Sequence, residues 1–329
     1  MTTASSPPAI AATGLRKSYG DKVVLDGIDL NVAEGTIFSL LGPNGAGKTT
    51  VVQILSTLIG ADDGEVRVAG HDLARDPDAI RAAIGVTGQF SAVDNLLTGE
   101  ENLMLMADLH HLDRAEGRRR ADDLLSRFDL EDAATSTPAT YSGGMRRKLD
   151  LAMTLIGDPQ IVFLDEPTAG LDPSARRTMW ASIRNLVAHG ITIFLTTQYL
   201  EEADELADRI ALLDHGRLVA EGTPDQLKRL IPGGHVRLQF AGISELVAAA
   251  RTVPGSIRDD AALTLRVPSD GDIRSIRALL DRLDVGTIDN GVLTVHTPDL
   301  DDVFLALTGH AAEARPSIPQ TEEQEELVR

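Results

Sequence analysis

Residues 42–49 have the sequence GPNGAGKT, which fits the pattern G-x-x-x-x-G-K-[ST] at every position. Residues 36–41 (TIFSLL), directly before it, predict a buried strand, and residues 50–55 (TVVQIL), directly after it, begin a helical pattern. Strand, loop and helix in this order are the context in which the pattern forms a phosphate-binding loop. The sequence therefore predicts an α/β fold organised around this loop, here called the phosphate loop.

The residue types of the phosphate loop suit an anion. Glycines let the backbone curve and turn its N–H groups inward, and the start of a helix adds partial positive charge. Lys48 is predicted to reach the β- and γ-phosphates of a nucleotide, and Thr49 to ligate Mg²⁺. The predicted nucleotide-binding residues in and beside the loop are Gly42, Pro43, Asn44, Gly45, Ala46, Gly47, Lys48, Thr49 and Thr50.

Two carboxylates, Asp165 and Glu166, follow the apolar run of residues 161–164 (IVFL). The run predicts a buried parallel strand, and α/β sheets bind ligands at the carboxyl ends of such strands. Asp165 is predicted to bind Mg²⁺ through water, and Glu166 to orient and deprotonate the attacking water. The alternative is that these two acids cap the next helix.

A third candidate segment is Ser142-Gly143-Gly144, here called the signature segment, which precedes an amphipathic pattern over residues 145–156. Ser142 can cap that helix, and its hydroxyl can donate to a phosphate. Alone the segment is a weak signal, since Ser-Gly-Gly turns are common. Apolar residues at helical spacing before it predict a helical insertion over about residues 96–158.

Composition limits the possible partners. The 329 residues include 31 basic and 50 acidic side chains, a formal net charge of -19. Such a chain is a poor match for nucleic acid, whose backbone requires clustered Lys and Arg, so no nucleic-acid partner is expected. It has no cysteine, no signal segment at its start and no apolar run of about 18 residues. We expect any action at a membrane to depend on a partner.

With these motifs in this order, residues 10 to about 231 resemble the ATP-binding cassette (ABC) domain of membrane transporters, a P-loop NTPase core with a helical signature subdomain. The matching positions are the phosphate loop, Gln89, the signature segment, Asp165-Glu166 and Asp172. More narrowly, four segments resemble the daunorubicin/doxorubicin-resistance ATPases of actinobacterial drug exporters. They are VTGQF at 86–90, YSGGMRR at 141–147, TTQYL at 196–200 and DDVFLALTGH at 301–310.

The resemblance implies a head-to-tail dimer with two ATP sites. Each ATP would lie between the phosphate loop of one copy and the signature segment of the other, and Asp172 would belong to the nucleotide-binding set. Gln89 would sense Mg²⁺ and the attacking water and connect the site to a membrane subunit. Tyr19 would stack on adenine, although taken alone it is better interpreted as a half-buried edge tyrosine.

Two positions depart from the common family pattern. Met145 ends the signature where most relatives have glutamine, and Gln198 stands at the switch position where most have histidine. Glutamine can donate a hydrogen bond to the γ-phosphate but has no charge to gain near neutral pH. Because the drug-resistance subgroup shares it, we keep Gln198 as a catalytic candidate. The candidate catalytic set is Glu166, Gln198, Gln89 and Lys48, and the candidate metal ligands are Thr49, Gln89 and Asp165.

Outside the cassette, three further segments are expected. Residues 1–9 are predicted to be a flexible N-terminus, and residues 311–329, with their glutamate run, a disordered acidic tail. Strand and helix patterns alternate over residues 232–310, which predicts a small α+β accessory domain of the split β-α-β type. Regulation, dimer contact and a stabilising cover for the core all remain open as its role.

Two functional classes follow. The first is the ATP-hydrolysing subunit of an exporter, bound through a separate polytopic membrane subunit to the cytoplasmic face of the cell membrane. Its cargo would be a hydrophobic or amphipathic compound such as a drug-like antibiotic, a polyketide or a lipid. The alternative is a soluble ABC ATPase acting on ribosomes or DNA. That class usually has two cassettes in one chain or zinc-binding cysteines, whereas this chain has one phosphate loop and no cysteine.

Overall fold

The computed structural model describes residues 7–88, 92–231, 234–269, 272–283, 292–296 and 298–309. The chain divides into two compact units between Leu227 and Lys228, four residues before the boundary expected at 231. The expectations for Gln89 and for residues 311–329 lie outside the described residues. Residues 1–6 of the predicted flexible N-terminus also lie outside the described residues. The prediction of flexibility is wrong for Ala9, which is buried between two strands. Its N–H donates to Val32 O at 2.8 Å, and its carbonyl accepts from Ala69 N at 2.8 Å.

The described part of the larger unit contains ten strands and eight α-helices, and the last helix extends across the boundary between the units. The strands are β1 (Ile10–Tyr19), β2 (Lys22–Val32), β3 (Ile37–Leu41), β4 (Asp63–Val68), β5 (His71–Asp72), β6 (Ile84–Thr87), β7 (Ile161–Asp165), β8 (Thr192–Thr197), β9 (Arg209–Asp214) and β10 (Arg217–Gly222). The helices are α1 (Lys48–Leu55), α2 (Pro77–Ala83), α3 (Gly99–Leu109), α4 (Arg114–Arg127), α5 (Gly143–Leu155), α6 (Pro173–Ala188), α7 (Leu200–Leu206) and α8 (Pro224–Lys228). None of the helices in the described ranges combines the length and apolar character needed to cross a bilayer.

The central sheet has the strand order β10-β9-β3-β8-β7-β6, and every neighbouring pair from β9 to β6 is parallel. Phe38, Phe194 and Phe163 are directly opposite one another on β3, β8 and β7, with 5.6 Å between neighbouring ring centroids. All three side chains are buried, as expected for a sheet covered on both faces. The parallel arrangement places the carboxyl ends of these strands at one edge.

A second sheet, of order β2-β1-β4-β5, is antiparallel. Strand β1 of this sheet extends as far as Tyr19. Irregular register between Ala12 and Leu15, where Gly14 has φ 63°, lets the strand bend and continue. The extension places Tyr19 opposite Lys22 at the end of the β1–β2 hairpin.

The predicted helical insertion is confirmed: α3, α4 and α5 share one apolar core with the adjoining part of the central sheet. Thr98 and Glu101 form a capping box at the start of α3, and Asp113 caps α4 through the amides of Ala115 and Glu116. The caps determine where the two helices begin. The signature segment lies at the start of α5.

The smaller unit contains β11 (His235–Gln239), α9 (Ile243–Thr252), β12 (Ile257–Asp259), β13 (Thr264–Pro268), α10 (Ile273–Arg282), β14 (Val292–His296) and α11 (Leu300–Thr308). Its sheet has the order β12-β13-β11-β14 with every pair antiparallel. This is the order of the split β-α-β fold, so the predicted α+β architecture is confirmed. The apolar core of the unit includes Val236, Leu246 and Leu265, which are fully buried.

Candidate functional site

The phosphate loop joins the end of β3 to the start of α1 and depends on glycine at two points. Gly47 has φ 111°, and a Cβ there would lie 2.7 Å from Leu25 Cδ2 and 3.0 Å from Val24 O. A Cβ at Gly42 would lie 2.3 Å from Leu213 O. Any larger residue would therefore displace the loop from β2 or β9.

The side chain of Lys48 contacts the start of the phosphate loop. Its Nζ donates to Gly42 O at 2.9 Å and Pro43 O at 3.2 Å, and lies 3.5 Å from Glu166 Oε1. Only 4% of its side chain is exposed. Burial lowers the pKa of Lys48, while the charges of Glu166 and Asp165 oppose that shift. The structure thus joins the predicted phosphate-binding cation to the predicted base.

The acidic pair is held by the neighbouring strand β8. Thr196 Oγ1 donates to Asp165 Oδ1, and the Glu166 amide donates to Thr196 O at 3.1 Å. Glu166 has φ 49°, a left-handed conformation that few non-glycine residues adopt and that is associated with functional sites. Asp165 and the exposed Thr49 offer the hard oxygen ligands that Mg²⁺ prefers, so this part of the site fits the ion.

Asp172 caps the next helix, α6. Its carboxylate accepts from the amides of Ser174 and Ala175, both at 2.9 Å. The alternative that Asp165 and Glu166 cap this helix is therefore wrong. The predicted role of Asp172 in nucleotide binding stays a prediction, since the cap alone explains its contacts within one chain.

Strand order brings Gln198 to the site. Leu41 is opposite Thr197 in the β3–β8 pair, and Asp165 is opposite Thr196 in the β8–β7 pair. Strand β8 thus ends between the phosphate loop and the acidic pair, with about 4.8 Å between neighbouring strands. Gln198, the first residue after β8, is half-buried, and its side chain forms no hydrogen bond with the part of the chain that is described. Gln89 follows Gly88 after β6 and lies outside that part.

Ser142 caps α5, as the sequence predicted: its Oγ accepts from Met145 N at 3.2 Å. Ser142 and Gly143 are exposed at the helix start, and no hydrogen bond among the described residues joins Ser142 to the phosphate loop of the same chain. Met145, where the signature departs from the common pattern, packs on the apolar core of the helical insertion. The substitution therefore leaves the exposed start of α5 intact.

Tyr19 lies on the hairpin that adjoins the phosphate loop. It is opposite Lys22, two residues from Val24, whose carbonyl is close to Gly47. Half of Tyr19 (50%) is exposed, and Lys17 Nζ lies 5.6 Å from its ring centroid. An accessible aromatic face here suits stacking on a base, and that role stays a prediction.

Comparison with known proteins places this site in a family. The family model for ABC transporter matches residues 25–169. A daunorubicin resistance ATP-binding protein of Streptomyces coeruleorubidus is 48% identical over 303 residues, covering 92% of this chain and 96% of the relative. The chain belongs to the ABC transporter family. It is an ATP-binding subunit whose chemistry is ATP hydrolysis, and the predicted resemblance to the daunorubicin-resistance ATPases is confirmed.

Two further comparisons extend the assignment. A Nod factor export ATP-binding protein I of Rhizobium sp. (strain N33) is 37% identical to this ABC ATPase over 309 residues, covering 94% of the chain and 99% of the relative. A solved ATP-binding subunit of an ABC transporter is 32% identical, with a TM-score of 0.60 over 68% of this chain and 92% of its own. The P-loop NTPase fold predicted for the larger unit is therefore confirmed.

Sequence reasoning missed three residues that shape the site of this ABC ATPase, namely Arg147, Thr196 and Glu202. Thr196 holds Asp165 and Glu166, as described above. Glu202, on α7, accepts from Thr168 Oγ1 at 2.7 Å and from Trp180 Nε1 at 3.0 Å. Thr168 follows Glu166 and α7 follows Gln198, so the hydrogen bond between Thr168 and Glu202 links the segments that follow the two candidate catalytic residues. In the sequence Glu202 is one of three glutamates of α7, and only its burial in the structure distinguishes it.

Replacing Glu202 by glutamine is expected to change how stability depends on pH. Burial raises the pKa of Glu202 above its usual 4.5, so the folded state favours the neutral acid. Stability from this group is present below the unfolded-state pKa and is lost as pH rises through the folded-state pKa, at up to about 1.4 kcal/mol per pH unit. Glu202→Gln keeps an oxygen for Thr168 and Trp180 but does not titrate. Urea unfolding between pH 5 and 8 should show the variant gaining stability over wild type as pH rises.

The matched control is Glu205→Gln, which changes an exposed glutamate paired with Arg184. Its stability difference from wild type should stay flat over the same range. Parallel stability curves for Glu202→Gln and wild type would show that burial does not favour the neutral form of Glu202.

Proposed function

We propose that this ABC ATPase powers export of a hydrophobic or amphipathic compound through a separate polytopic membrane subunit. The observation that most directly supports ATP hydrolysis is the 3.5 Å approach of Lys48 to Glu166 at the edge where β3, β8 and β7 end. Export is supported by relatives named for daunorubicin resistance and Nod factor export. Because similar chains are named for such different compounds, we assign cargo choice to the membrane subunit.

In this proposal the phosphate loop and Lys48 bind the β- and γ-phosphates of ATP. The loop amides and the start of α1 supply partial positive charge, and the buried ammonium of Lys48 supplies a full one. Thr49, Asp165 and Gln89 would hold Mg²⁺, which neutralises charge that develops on the transferred phosphoryl group. Tyr19 stacks on the adenine.

Glu166 is the proposed base. Its left-handed backbone conformation and the hydrogen bond from its amide to Thr196 Oγ1 restrict where its carboxylate can lie. The carboxylate is therefore pre-positioned for a water that approaches the γ-phosphate. The amide of Gln198 donates to the γ-phosphate, and its carbonyl orients the water or Glu166. Charge on the switch residue is then not required for turnover.

Two copies of the chain are proposed to form the complete sites. The exposed start of α5 offers free N–H groups and the Ser142 hydroxyl, and it has no hydrogen bond to its own phosphate loop among the described residues. In a head-to-tail pair it faces the nucleotide of the other copy. ATP then binds the closed pair better than the open one, and this differential affinity drives the movement of the membrane subunit.

We place the ABC ATPase on the cytoplasmic face of the cell membrane, held there by the membrane subunit. The alternative, an ATPase of ribosomes or DNA, is disfavoured by the transporter names of the relatives and by the net charge of -19. The deciding experiment is co-purification with the membrane protein of the neighbouring reading frame, followed by ATPase and transport assays in vesicles. Failure to co-purify and absence of ATP-dependent transport would contradict the export assignment.

Gln198→Ala is expected to slow hydrolysis by about 10–150-fold, because a lost hydrogen bond to a charged group costs about 1.5–3 kcal/mol and this bond forms mainly in the transition state. ATP affinity should change less. Gln198→His should retain activity and gain a pH dependence between about pH 5 and 8, since only histidine titrates there. The measurement is a pH–rate profile of wild type and both variants. Equal turnover of wild type and Gln198→Ala across that range would remove Gln198 from the catalytic set.

A further inference from the structure

Arg147, the fifth residue of α5, binds the backbone around Glu166. Its Nη2 donates to Asp165 O at 3.3 Å and Glu166 O at 3.4 Å, and its Nε donates to Pro167 O at 2.9 Å. One guanidinium thus spans the carbonyls of three consecutive residues. The five donors of a planar guanidinium allow this, whereas a lysine ammonium would satisfy fewer of these acceptors at once.

The same side chain reaches the end of the neighbouring strand β6. Arg147 Nη1 donates to Gly88 O at 3.1 Å and pairs with Asp150 Oδ2 at 3.1 Å. Asp150 Oδ1 in turn accepts from Ala92 N at 3.1 Å. Gly88 and Ala92 flank residues 89–91, so the Arg147–Asp150 pair binds the chain on both sides of Gln89.

The pair is largely buried, with 12% of the Arg147 side chain and 4% of the Asp150 side chain exposed. Buried ion pairs often contribute little net stability, because removing two charges from water offsets their attraction. A positional role explains their presence better. Glu166 has φ 49°, and such a conformation persists only where the surroundings hold it. The hydrogen bonds from Arg147, which lies on a helix of the helical insertion, help to maintain this conformation.

We propose that Arg147, supported by Asp150, is a positioning residue that couples the signature segment of α5 to Glu166 of the same chain. Arg147 contacts only backbone around the base, so it acts through Glu166 and not on ATP. Coupling rests on the proposed function, in which the signature segment contacts the nucleotide of a second copy. Ser142 and Arg147 are five residues apart, about 7.5 Å along the helix, so a shift of α5 displaces the guanidinium and the base together.

The test compares Arg147→Gln with Lys148→Gln in the full-length protein. Lys148 is a matched control, since its side chain is 14% exposed and its Nζ donates to Phe128 O at 2.9 Å, away from the site. Arg147→Gln should lower kcat by roughly 10–100-fold, because a misplacement of about 1 Å costs up to about 10² in rate. The KM for ATP and the Kd of a fluorescent ATP analogue should stay within about threefold of wild type, as should kcat of Lys148→Gln.

Arg147→Lys keeps the charge beside Asp150 but loses the planar fork, so kcat should fall between wild type and Arg147→Gln at a Tm near that of wild type. If Arg147→Gln does not fold, the kcat of Arg147→Lys tests whether Arg147 positions Glu166. A kcat of Arg147→Lys equal to wild type, or equal losses for Arg147→Gln and Lys148→Gln, would overturn the inference. A wild-type protein without MgATP hydrolysis would instead overturn the proposed function on which it rests.

Discussion

Glu166→Gln is expected to leave ATP binding intact and to reduce turnover by about 10²–10⁴-fold, the range for loss of a positioned base. The carboxamide has the shape of the carboxylate but cannot take the proton of the attacking water. Its oxygen can still lie near Lys48 Nζ, which is 3.5 Å from Glu166 Oε1 in the wild type. The phosphate loop should therefore assemble normally, and the variant should accumulate with ATP bound.

Single-turnover phosphate release reports hydrolysis, and equilibrium binding of a fluorescent ATP analogue reports ATP binding. Measuring both separates a loss of hydrolysis from a loss of ATP binding. Glu201→Gln is the matched control, because Glu201 is an exposed glutamate on α7 that pairs loosely with Arg176 at 3.8 Å. Its turnover should equal that of wild type. Turnover of Glu166→Gln within about threefold of wild type would assign the base to another residue.

The phosphate loop and the acidic pair were predictable because each depends on local chemistry. Glycine at 47 and the Lys48-Thr49 pair specify a tight turn into a helix, and an apolar run specifies the buried strand before Asp165. The position of Gln198 between them was implied only by family resemblance. It follows physically from the order β3-β8-β7, which no local pattern encodes.

Arg147 shows why other parts of the site could not be predicted. In the sequence it resembles Arg118 and Arg119, which lie on a helix surface and pair with Glu100 and Glu116. Two of its partners, Gly88 and Pro167, lie 59 and 20 residues away along the chain. Only tertiary structure separates a positioning arginine from a solvated one.

The shortest strands leave no pattern in the sequence for a related reason. The strands β5 and β12 have two and three residues, too few for a hydrophobic period, and they form because a neighbouring strand offers hydrogen bonds. By contrast, the longer helices and strands of the smaller unit have clear periods, so its α+β architecture was predictable, whereas its role was not.

Lys48→Ala and Ser142→Arg are each expected to inactivate the ABC ATPase by at least about 10²-fold, the loss typical of one deleted transition-state donor. Lys48 supplies the buried charge of the phosphate loop. Arginine at 142 would place a long side chain at the exposed start of α5, where we propose the nucleotide of the other copy lies. It would also remove the cap on Met145 N, which costs about 1 kcal/mol. Asp113→Arg, which removes the cap of α4, controls for that loss and should stay active.

Combining Lys48→Ala and Ser142→Arg in one heterodimer, purified through two different tags, should restore up to one active site of the two. In a head-to-tail pair both lesions fall in the same composite site, so the other site combines an intact Lys48 with an intact Ser142. In a pair whose sites are each built from one chain, both sites would be damaged. The measurements are turnover and the number of ATP molecules retained per heterodimer, expected to approach one. A verified heterodimer with neither turnover nor retained ATP would contradict head-to-tail pairing, because that geometry must leave one site with every proposed phosphate contact intact.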